Sequence, residues 1–189
     1  VFVAQFVSVD ALSALNIVNP LFSLVMGFGV MLGAGGSAVI AKNVGEGEEQ
    51  QAFDNLSTLV FFGAILVLVL MVLLLVFMEP ILSVLGATEI LMPYCKEYCY
   101  YIVGFLAPWV LELMFSSYFI TAGKPQIGLI ATLCSGVFNI VGDYVLIVVV
   151  GMGIRGAALA TGLATCIPVV IALIYFFNKE HSLHFGRIM

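Results

Sequence analysis

Charge is what this sequence has least of. Only 9% of its 189 residues are Asp, Glu, Lys or Arg, whereas 63% are hydrophobic, and the mean hydropathy is +1.22. Soluble domains carry about 25% charged residues, so the composition excludes an ordinary water-soluble protein and indicates an integral membrane protein. The Lys and Arg residues form no basic patch, and no nucleic-acid partner is expected.

Residues for thiol, metal or catalytic chemistry are also scarce. The four cysteines lie in or beside apolar segments with no CxxC spacing, and a helical pair such as Cys95 and Cys99 is poorly placed for a disulfide, so we expect small buried packing residues. His181 and His184 stand in a polar tail without a further ligand, which favours a solvated loop over a zinc site. No Ser/His/Asp set or HExxH motif is present, so we expect neither an enzyme nor a cofactor.

Long apolar runs are what the sequence has instead. About 20 apolar residues cross the hydrocarbon core of a bilayer, and a charge inside it is costly. We therefore expect an all-α polytopic membrane helical bundle with about five transmembrane helices and, in residues 1–9, the end of one more. The five predicted spans are residues 11–41, 55–78, 93–121, 125–154 and 156–178.

Lys and Arg in the loops predict the orientation. Lys42, Lys124, Lys179 and Arg187 fall in loops that share one side, against two basic residues on the other side. The positive-inside rule makes the first side cytoplasmic, and we expect a multi-pass protein of the cell (inner) membrane. Four tyrosines near the outer start of the third span are expected to form an interfacial aromatic belt: Tyr94, Tyr98, Tyr100 and Tyr101.

Helix-breaking residues occur inside the spans. Pro20, Pro108 and Pro168 predict kinks, which a membrane protein tolerates when neighbouring groups bond the freed carbonyl. The stretch MGFGVMLGAGGS, residues 26–37, is too hydrophobic for a phosphate loop and lacks its lysine and its flanking strand. It predicts a closely packed helix, and both packing and bending during a transport cycle explain the glycines.

The carboxylate of Asp143 is the first candidate for function. An ionised carboxylate at membrane depth costs about 2.5–3.5 kcal/mol, so it must face protein or water. Asn139, four residues earlier, shares its helical face. The face continues backwards as a stripe of small or polar residues: Gly136, Ser135 and Thr132. Two interpretations stay open, an ion site, or an aspartate that reaches the interface while Asn139 bonds across helices.

One side of the last span carries small and hydroxylated residues. Close helix packing explains most of them. Thr161 lies about one and a half turns into this helix, and on an antiparallel neighbour its oxygen falls at a depth similar to that of Asp143. Oxygen atoms from Asp, Asn and Thr suit a hard monovalent cation or a proton relay rather than a soft metal.

Glu112 is the second intramembrane acid. It follows Trp109 by three residues and Pro108 by four. A carboxylate near an aromatic ring and a kink can bind an organic cation by charge and by cation–π attraction. Glu112 and Trp109 are therefore candidates for a substrate cavity, and a structural hydrogen bond from Glu112 to a neighbouring helix is the equal alternative.

Four segments resemble a known family. They are MGFGVMLGAGGSAVIAKNVGEGE, TAGKPQIGL, NIVGDYVLI and GMGIRGAALATG, and they follow one another along nearly the whole chain. They resemble the amino-terminal lobe of multidrug and toxic compound extrusion (MATE) transporters. The resemblance implies a secondary antiporter of twelve helices in two lobes, which exports mostly cationic or amphipathic compounds in exchange for Na⁺ or H⁺.

The resemblance also implies the domain organisation. Residues 1–177 would be the N-terminal transmembrane lobe, with the end of helix 1 and helices 2 to 6, and residues 178–189 would begin the cytoplasmic linker to a missing C-terminal lobe. The chain begins at Val1 with neither methionine nor a basic leader, so we expect no signal peptide and a piece of a longer protein. This polypeptide alone is expected not to transport.

The family pattern assigns a cation site to three residues. In several prokaryotic members an aspartate on helix 1 joins an asparagine and an aspartate on helix 5 and a threonine on helix 6. Asn139, Asp143 and Thr161 match the last three, and the helix 1 aspartate is expected just upstream of Val1. Gly142 departs from the bulky apolar residue usual before the aspartate, and we expect looser local packing there.

The resulting hypothesis is that Asp143, desolvated among helices, alternately holds a cation or a proton, with Asn139 and Thr161 as neutral oxygen donors. The three would be metal ligands only if Na⁺ is the coupling ion. The other expected partners are the lipid bilayer, a small organic substrate and the missing lobe.

A lipid-linked oligosaccharide flippase would need a more cationic cavity, an enzyme would need clustered acids or histidines, and a membrane subunit without transport activity would not need Asp143.

Overall fold

The described chain folds into a bundle of helices joined by short loops. The computed structural model describes residues 9–188, so the upstream span end predicted in residues 1–9 falls outside it apart from Val9. In lipid a spanning segment must satisfy its own backbone hydrogen bonds, which is why these Leu-, Val- and Phe-rich runs become helices. The predicted all-α class is confirmed. The helices are α1 (Val9–Gly45), α2 (Glu49–Val76), α3 (Met78–Val84), α4 (Met92–Val103), α5 (Leu106–Thr121), α6 (Pro125–Asp143), a π-helix (Tyr144–Val149) and α7 (Ile154–Phe177).

The number of membrane spans agrees with the sequence prediction. Helices α1, α2 and α7, and α6 together with the π-helix, are each long and apolar enough to cross a bilayer. Helices α4 and α5 pass the same test only as a pair, and they meet at an angle of 55°. The described chain therefore contains four spans, or five when the bent pair counts as one, and the chain is a multi-pass membrane protein.

The break between α4 and α5 follows from Pro108. A proline has no N–H, so the carbonyl of Gly104, four residues earlier, loses its helical partner, and the proline ring crowds that carbonyl. The helix is interrupted at Gly104 and Phe105 and resumes at Leu106. The kink predicted from Pro108 is thus present, one turn before the proline itself.

Helix α7 continues through Pro168 because a neighbour replaces the lost hydrogen bond. The carbonyl that Pro168 cannot bond belongs to Ala164, four residues earlier. The hydroxyl of Ser135, on α6, donates to this carbonyl at 2.8 Å. Ser135 is buried, so this bond lies inside the contact between α6 and α7.

The glycines of α1 form a groove that holds α5. A Cβ atom at Gly33 would lie 2.9 Å from the Ser117 Oγ, and one at Gly36 would lie 2.7 Å from the Tyr118 hydroxyl. These distances leave no room for a side chain. At Gly35, on another face of α1, nothing lies within 4 Å. Packing therefore explains the glycines at the α1–α5 contact.

Charges at the start of α4 are paired with neighbouring helices. The Lys96 Nζ lies 3.0 Å from the Glu79 Oε1, which joins α4 to α3. Arg155, at the start of α7, pairs with Glu97. Exposed pairs of this kind contribute about 0–1 kcal/mol, so they allow charges at the span ends rather than holding the bundle together.

The residues after α7 fold back onto the bundle. Leu183 is buried, and the His181 ring stacks on Tyr175 with centroids 4.1 Å apart. The His184 ring packs on Phe53 of α2 at 3.9 Å. The predicted solvated loop is only partly solvated, because aromatic rings at the helix ends offer the half-buried imidazoles an apolar surface. Within the described chain, no group of three or more His, Cys, Asp or Glu side chains is arranged to hold a metal ion.

Two further side-chain predictions fail in part. Cys95 and Cys99 are buried as expected, but Cys134 is exposed on α6. Tyr100 is exposed, whereas Tyr98 is buried and so does not belong to an interfacial belt. Tyr98 points inward because it shares the buried face of α4 with both cysteines.

Candidate ion site between helices α6 and α7

Helices α6 and α7 approach each other closely at the candidate site. A Cβ atom at Gly142 would lie 3.1 Å from the Cβ of Ala160 on α7. This contact is tighter than most, so Gly142 brings the helices together instead of loosening them as predicted. The turn between the helices uses Gly151 and Gly153, both at positive φ (74° and 60°), a conformation that glycine adopts without strain.

Two of the predicted site residues are in direct contact. The amide Nδ2 of Asn139 donates to the Thr161 Oγ1 at 3.2 Å. Both side chains are half-buried. One turn earlier on α6, the bond from Ser135 to the Ala164 carbonyl continues the same polar contact. Thr161 therefore meets α6 at Asn139, one helical turn before Asp143.

Asp143 is the last residue of α6, directly before the π-helix. Its side chain is half-buried, and its Oδ1 is buried without a hydrogen-bond partner among the described residues. A buried polar atom without a partner costs about 1–3 kcal/mol, and more when it is charged. Such atoms are rare in native proteins, and each one requires an explanation. Single-turn π-helices also occur often at functional sites.

Tyr98 lies in the core of the bundle, although the sequence reasoning placed it at the interface. It is buried. Its ring packs edge-on against Phe22 of α1 at 6.0 Å. The spacing of the buried residues of α4, at Cys95, Tyr98, Cys99 and Ile102, was the signal that could have identified it.

The polar stripe predicted along α6 is only partly present. Ser135 is buried and Asn139 is half-buried, but Thr132 and Gly136 are exposed. The Thr132 hydroxyl donates to the Gly128 carbonyl of its own helix at 3.0 Å. The bundle-facing side of α6 is narrower than predicted because Ser135, Asn139 and Asp143 are spaced four residues apart, close to one helical turn.

Glu112 and Trp109 have different neighbours among the described residues. Glu112 lines an opening of about 10 Å³, room for one water molecule, beside Ser116, Thr132 and Pro168. Trp109 is not among the residues that line it, and its ring packs against Phe22 at 6.3 Å. The two residues therefore face different helices, α6 and α7 for Glu112 and α1 for Trp109.

The fold and the site define a class first: a multi-pass helical membrane protein with a carboxylate between two of its spans whose Oδ1 is buried and has no hydrogen-bond partner among residues 9–188. The family model MatE matches residues 1–145, which is more than half of the chain. The chain belongs to this family, the MATE family that the sequence motifs resemble. The family is one of membrane transporters rather than enzymes.

Curated relatives support the same assignment. The multidrug export protein MepA of Staphylococcus haemolyticus is 31% identical over 177 residues, which are 93% of this chain and 39% of that protein. MepA of Staphylococcus saprophyticus is 30% identical over 172 residues, 89% of this chain and 38% of that protein. The chain thus spans about two-fifths of the length of the curated relatives it matches.

Solved structures show that the fold is shared. A MATE structure in the bent conformation matches with a TM-score of 0.89 at 21% identity, over 94% of this chain and 40% of that chain. The Vibrio cholerae MATE transporter VcmN, in its bent form, matches with a TM-score of 0.85 at 22% identity, over 92% of this chain and 40% of that chain. This chain covers 40% of each of the two structures, which agrees with the predicted architecture of one part of a two-lobe transporter.

Proposed function

We propose that the protein is a cation-coupled antiporter, driven by Na⁺ or H⁺, that exports drugs or other organic, mostly cationic, compounds. The observation that carries this proposal is the buried Oδ1 of Asp143, which has no partner among the described residues. A cation or a proton bound at Asp143 would remove the cost of that unpaired atom. The Asn139–Thr161 hydrogen bond holds two neutral oxygen donors one turn from the carboxylate.

The mechanism needs only a difference in affinity between two conformations. A ligand shifts a conformational equilibrium by as much as its affinities for the two states differ. In the proposed cycle Asp143 binds the coupling ion in the outward-facing state, with Asn139 and Thr161 beside it. The organic compound binds the other state and leaves in the opposite half of the cycle. The three residues act as metal ligands only when Na⁺ is the coupling ion.

The length of the relatives supports the proposed division of the chain. Residues 1–177 form the N-terminal transmembrane lobe in this proposal, and residues 178–189 begin the cytoplasmic linker to a C-terminal lobe. The relatives are more than twice as long as the matched part, which agrees with a second lobe as the partner. Tests of activity therefore require the full-length protein.

The class of exported compound is supported by the relatives and by two side chains. Both MepA relatives are named multidrug export proteins. Glu112 supplies a half-buried carboxyl group and Trp109 an aromatic ring within the bundle, and a carboxylate and an aromatic ring attract organic cations. They contact different helices, so we propose that they contribute separately to the substrate cavity.

Efflux by the full-length protein in everted membrane vesicles tests the proposal. Vesicles are driven in turn by a Na⁺ gradient and by a pH gradient, and the gradient that sustains efflux identifies the coupling ion. Asp143→Asn is expected to abolish coupled efflux with either gradient while expression stays normal. Asp10→Asn makes the same chemical change at an exposed residue and is expected to leave efflux intact. Normal efflux by Asp143→Asn would sink the assignment.

A further inference from the structure

The bend between α4 and α5 rests on α7 beside the candidate ion site. Phe105, at the break, lies with its ring over Gly162 of α7. A Cβ atom placed on Gly162 would overlap three carbon atoms of that ring. Gly162 directly follows Thr161, whose hydroxyl accepts the hydrogen bond from Asn139. The bend and the site are therefore joined through two consecutive residues of α7.

Both arms of the bend also contact α1. Phe22 of α1 packs against Tyr98 on the α4 arm and against Trp109 on the α5 arm, with ring centroids 6.0 and 6.3 Å apart. The angle between α4 and α5 is thus set by α1 on one side and by α7 on the other.

We propose that Phe105, seated on Gly162, is a positioning residue for the cation site. Successive residues of a helix are rotated by about 100°, so Gly162 faces the bend while Thr161 faces α6. The contact at Gly162 then fixes the rotation and the depth of α7 at which Thr161 meets Asn139. The inference rests on the proposed function of Asp143, Asn139 and Thr161.

The geometry leaves little tolerance for a shift of α7. The Asn139–Thr161 bond measures 3.2 Å, and hydrogen bonds in proteins become weak beyond about 3.5 Å. A methyl group at Gly162 must push either the Phe105 ring or α7 aside. A displacement of α7 by about 1 Å would break the bond and move the threonine oxygen away from Asp143.

Substitutions that enlarge the side chain at Gly162 and shorten the one at Phe105 test the inference. Gly162→Ala in the full-length protein is expected to raise the concentration of coupling ion that half-saturates efflux by about tenfold, the change that about 1.4 kcal/mol produces. Gly162→Ala combined with Phe105→Ala removes the overlap and is expected to return this concentration to within about threefold of wild type, as contacting residues are coupled. Gly136→Ala is the matched control, because nothing lies within 4 Å of a Cβ there.

The ion-induced rise in melting temperature separates positioning from plain stability. A ligand stabilises the folded state according to its affinity, so Gly162→Ala is expected to reduce the rise in Tm caused by the coupling ion, and the double variant to restore it. A lower Tm with an unchanged ion response, or a double variant without recovery, would overturn the inference. If Gly162→Ala gives no folded protein, Phe105→Leu replaces it. This variant is expected to raise the half-saturating ion concentration about threefold. An unchanged concentration would count against the inference.

Asp143→Asn in the same assays keeps the two proposals apart. Loss of the ion response in this variant, together with an unaffected Gly162→Ala, would refute the positioning role alone. An ion response that persists in Asp143→Asn would refute the proposed cation site itself.

Discussion

The α1–α5 contact and the α6–α7 contact use similar residues in different ways. Each contact brings two helices close through small residues, at Gly33 and Gly36 in the first and at Gly142 in the second. Each also carries hydroxyl groups. In the first contact the hydroxyls have hydrogen-bond partners across the helices, whereas in the second the Oδ1 of Asp143 has no partner among the described residues.

The hydroxyl groups at the α1–α5 contact are hydrogen-bonded across the two helices. The Tyr118 hydroxyl donates to the Leu32 carbonyl at 3.1 Å, and Ser37 and Thr121 share a hydrogen bond. Tyr118 is fully buried. Small residues with satisfied polar groups serve packing in a membrane. An intramembrane carboxylate that lacks a partner indicates function instead, and the comparison teaches that satisfied bonds, rather than residue types, distinguish the two.

The largest expected effect on stability comes from filling the α1 groove. Gly36→Val places a branched side chain against Tyr118 and Leu59, where even a Cβ would lie within 2.8 Å of an existing atom. We expect a loss of about 3 kcal/mol in the free energy of unfolding, the upper end for overpacking. Denaturation of the full-length protein in mixed detergent micelles measures it. Gly35→Val, on the open face, controls for helix propensity, and an equal loss there would show that the groove is not close-packed.

The second prediction concerns the α6–α7 contact, where we expect a substitution to increase the free energy of unfolding. Asp143→Asn replaces a carboxylate, whose buried Oδ1 has no partner among the described residues, by a neutral amide, which costs less to bury. In the absence of the coupling ion we expect this variant to be about 2 kcal/mol more stable than wild type, as functional groups often reduce stability. Denaturation in ion-free micelles, alongside the efflux assay, measures both. A less stable Asp143→Asn would mean that the carboxylate serves packing, like the hydroxyls of the first contact.

The sequence predicted the bundle well because composition and run length determine it. Apolar runs with few charges predicted the spans, and Pro108 predicted the kink between α4 and α5. Helical spacing placed Asn139 and Asp143 on one face and the family pattern added Thr161, but the direct bond from Asn139 to Thr161 was not predicted. The inward position of Tyr98 was missed because a tyrosine near a span end suits the interface as well as the core. The docking of His181 was missed since it depends on Tyr175, which comes close only in the folded chain.

The third prediction concerns the carbonyl that Pro168 leaves free. Ser135→Ala removes its donor at 2.8 Å and is expected to cost about 1 kcal/mol, as hydrogen bonds between membrane helices typically do. Pro168→Ala supplies a backbone N–H to the Ala164 carbonyl, so the serine change should then cost almost nothing. A double-mutant cycle in the denaturation assay measures this coupling. Equal costs in both backgrounds would mean that Ser135 does not compensate for the proline.

The smallest effect is expected from the hydroxyl of Tyr118. Tyr118→Phe keeps the ring that fills the groove at Gly36 and removes only the donor to the Leu32 carbonyl. We expect a loss of about 0.6 kcal/mol, the average for such bonds in a membrane protein, and an unchanged half-saturating ion concentration. The efflux assay measures this concentration, and a changed value would mean that the α1–α5 contact also affects the ion site.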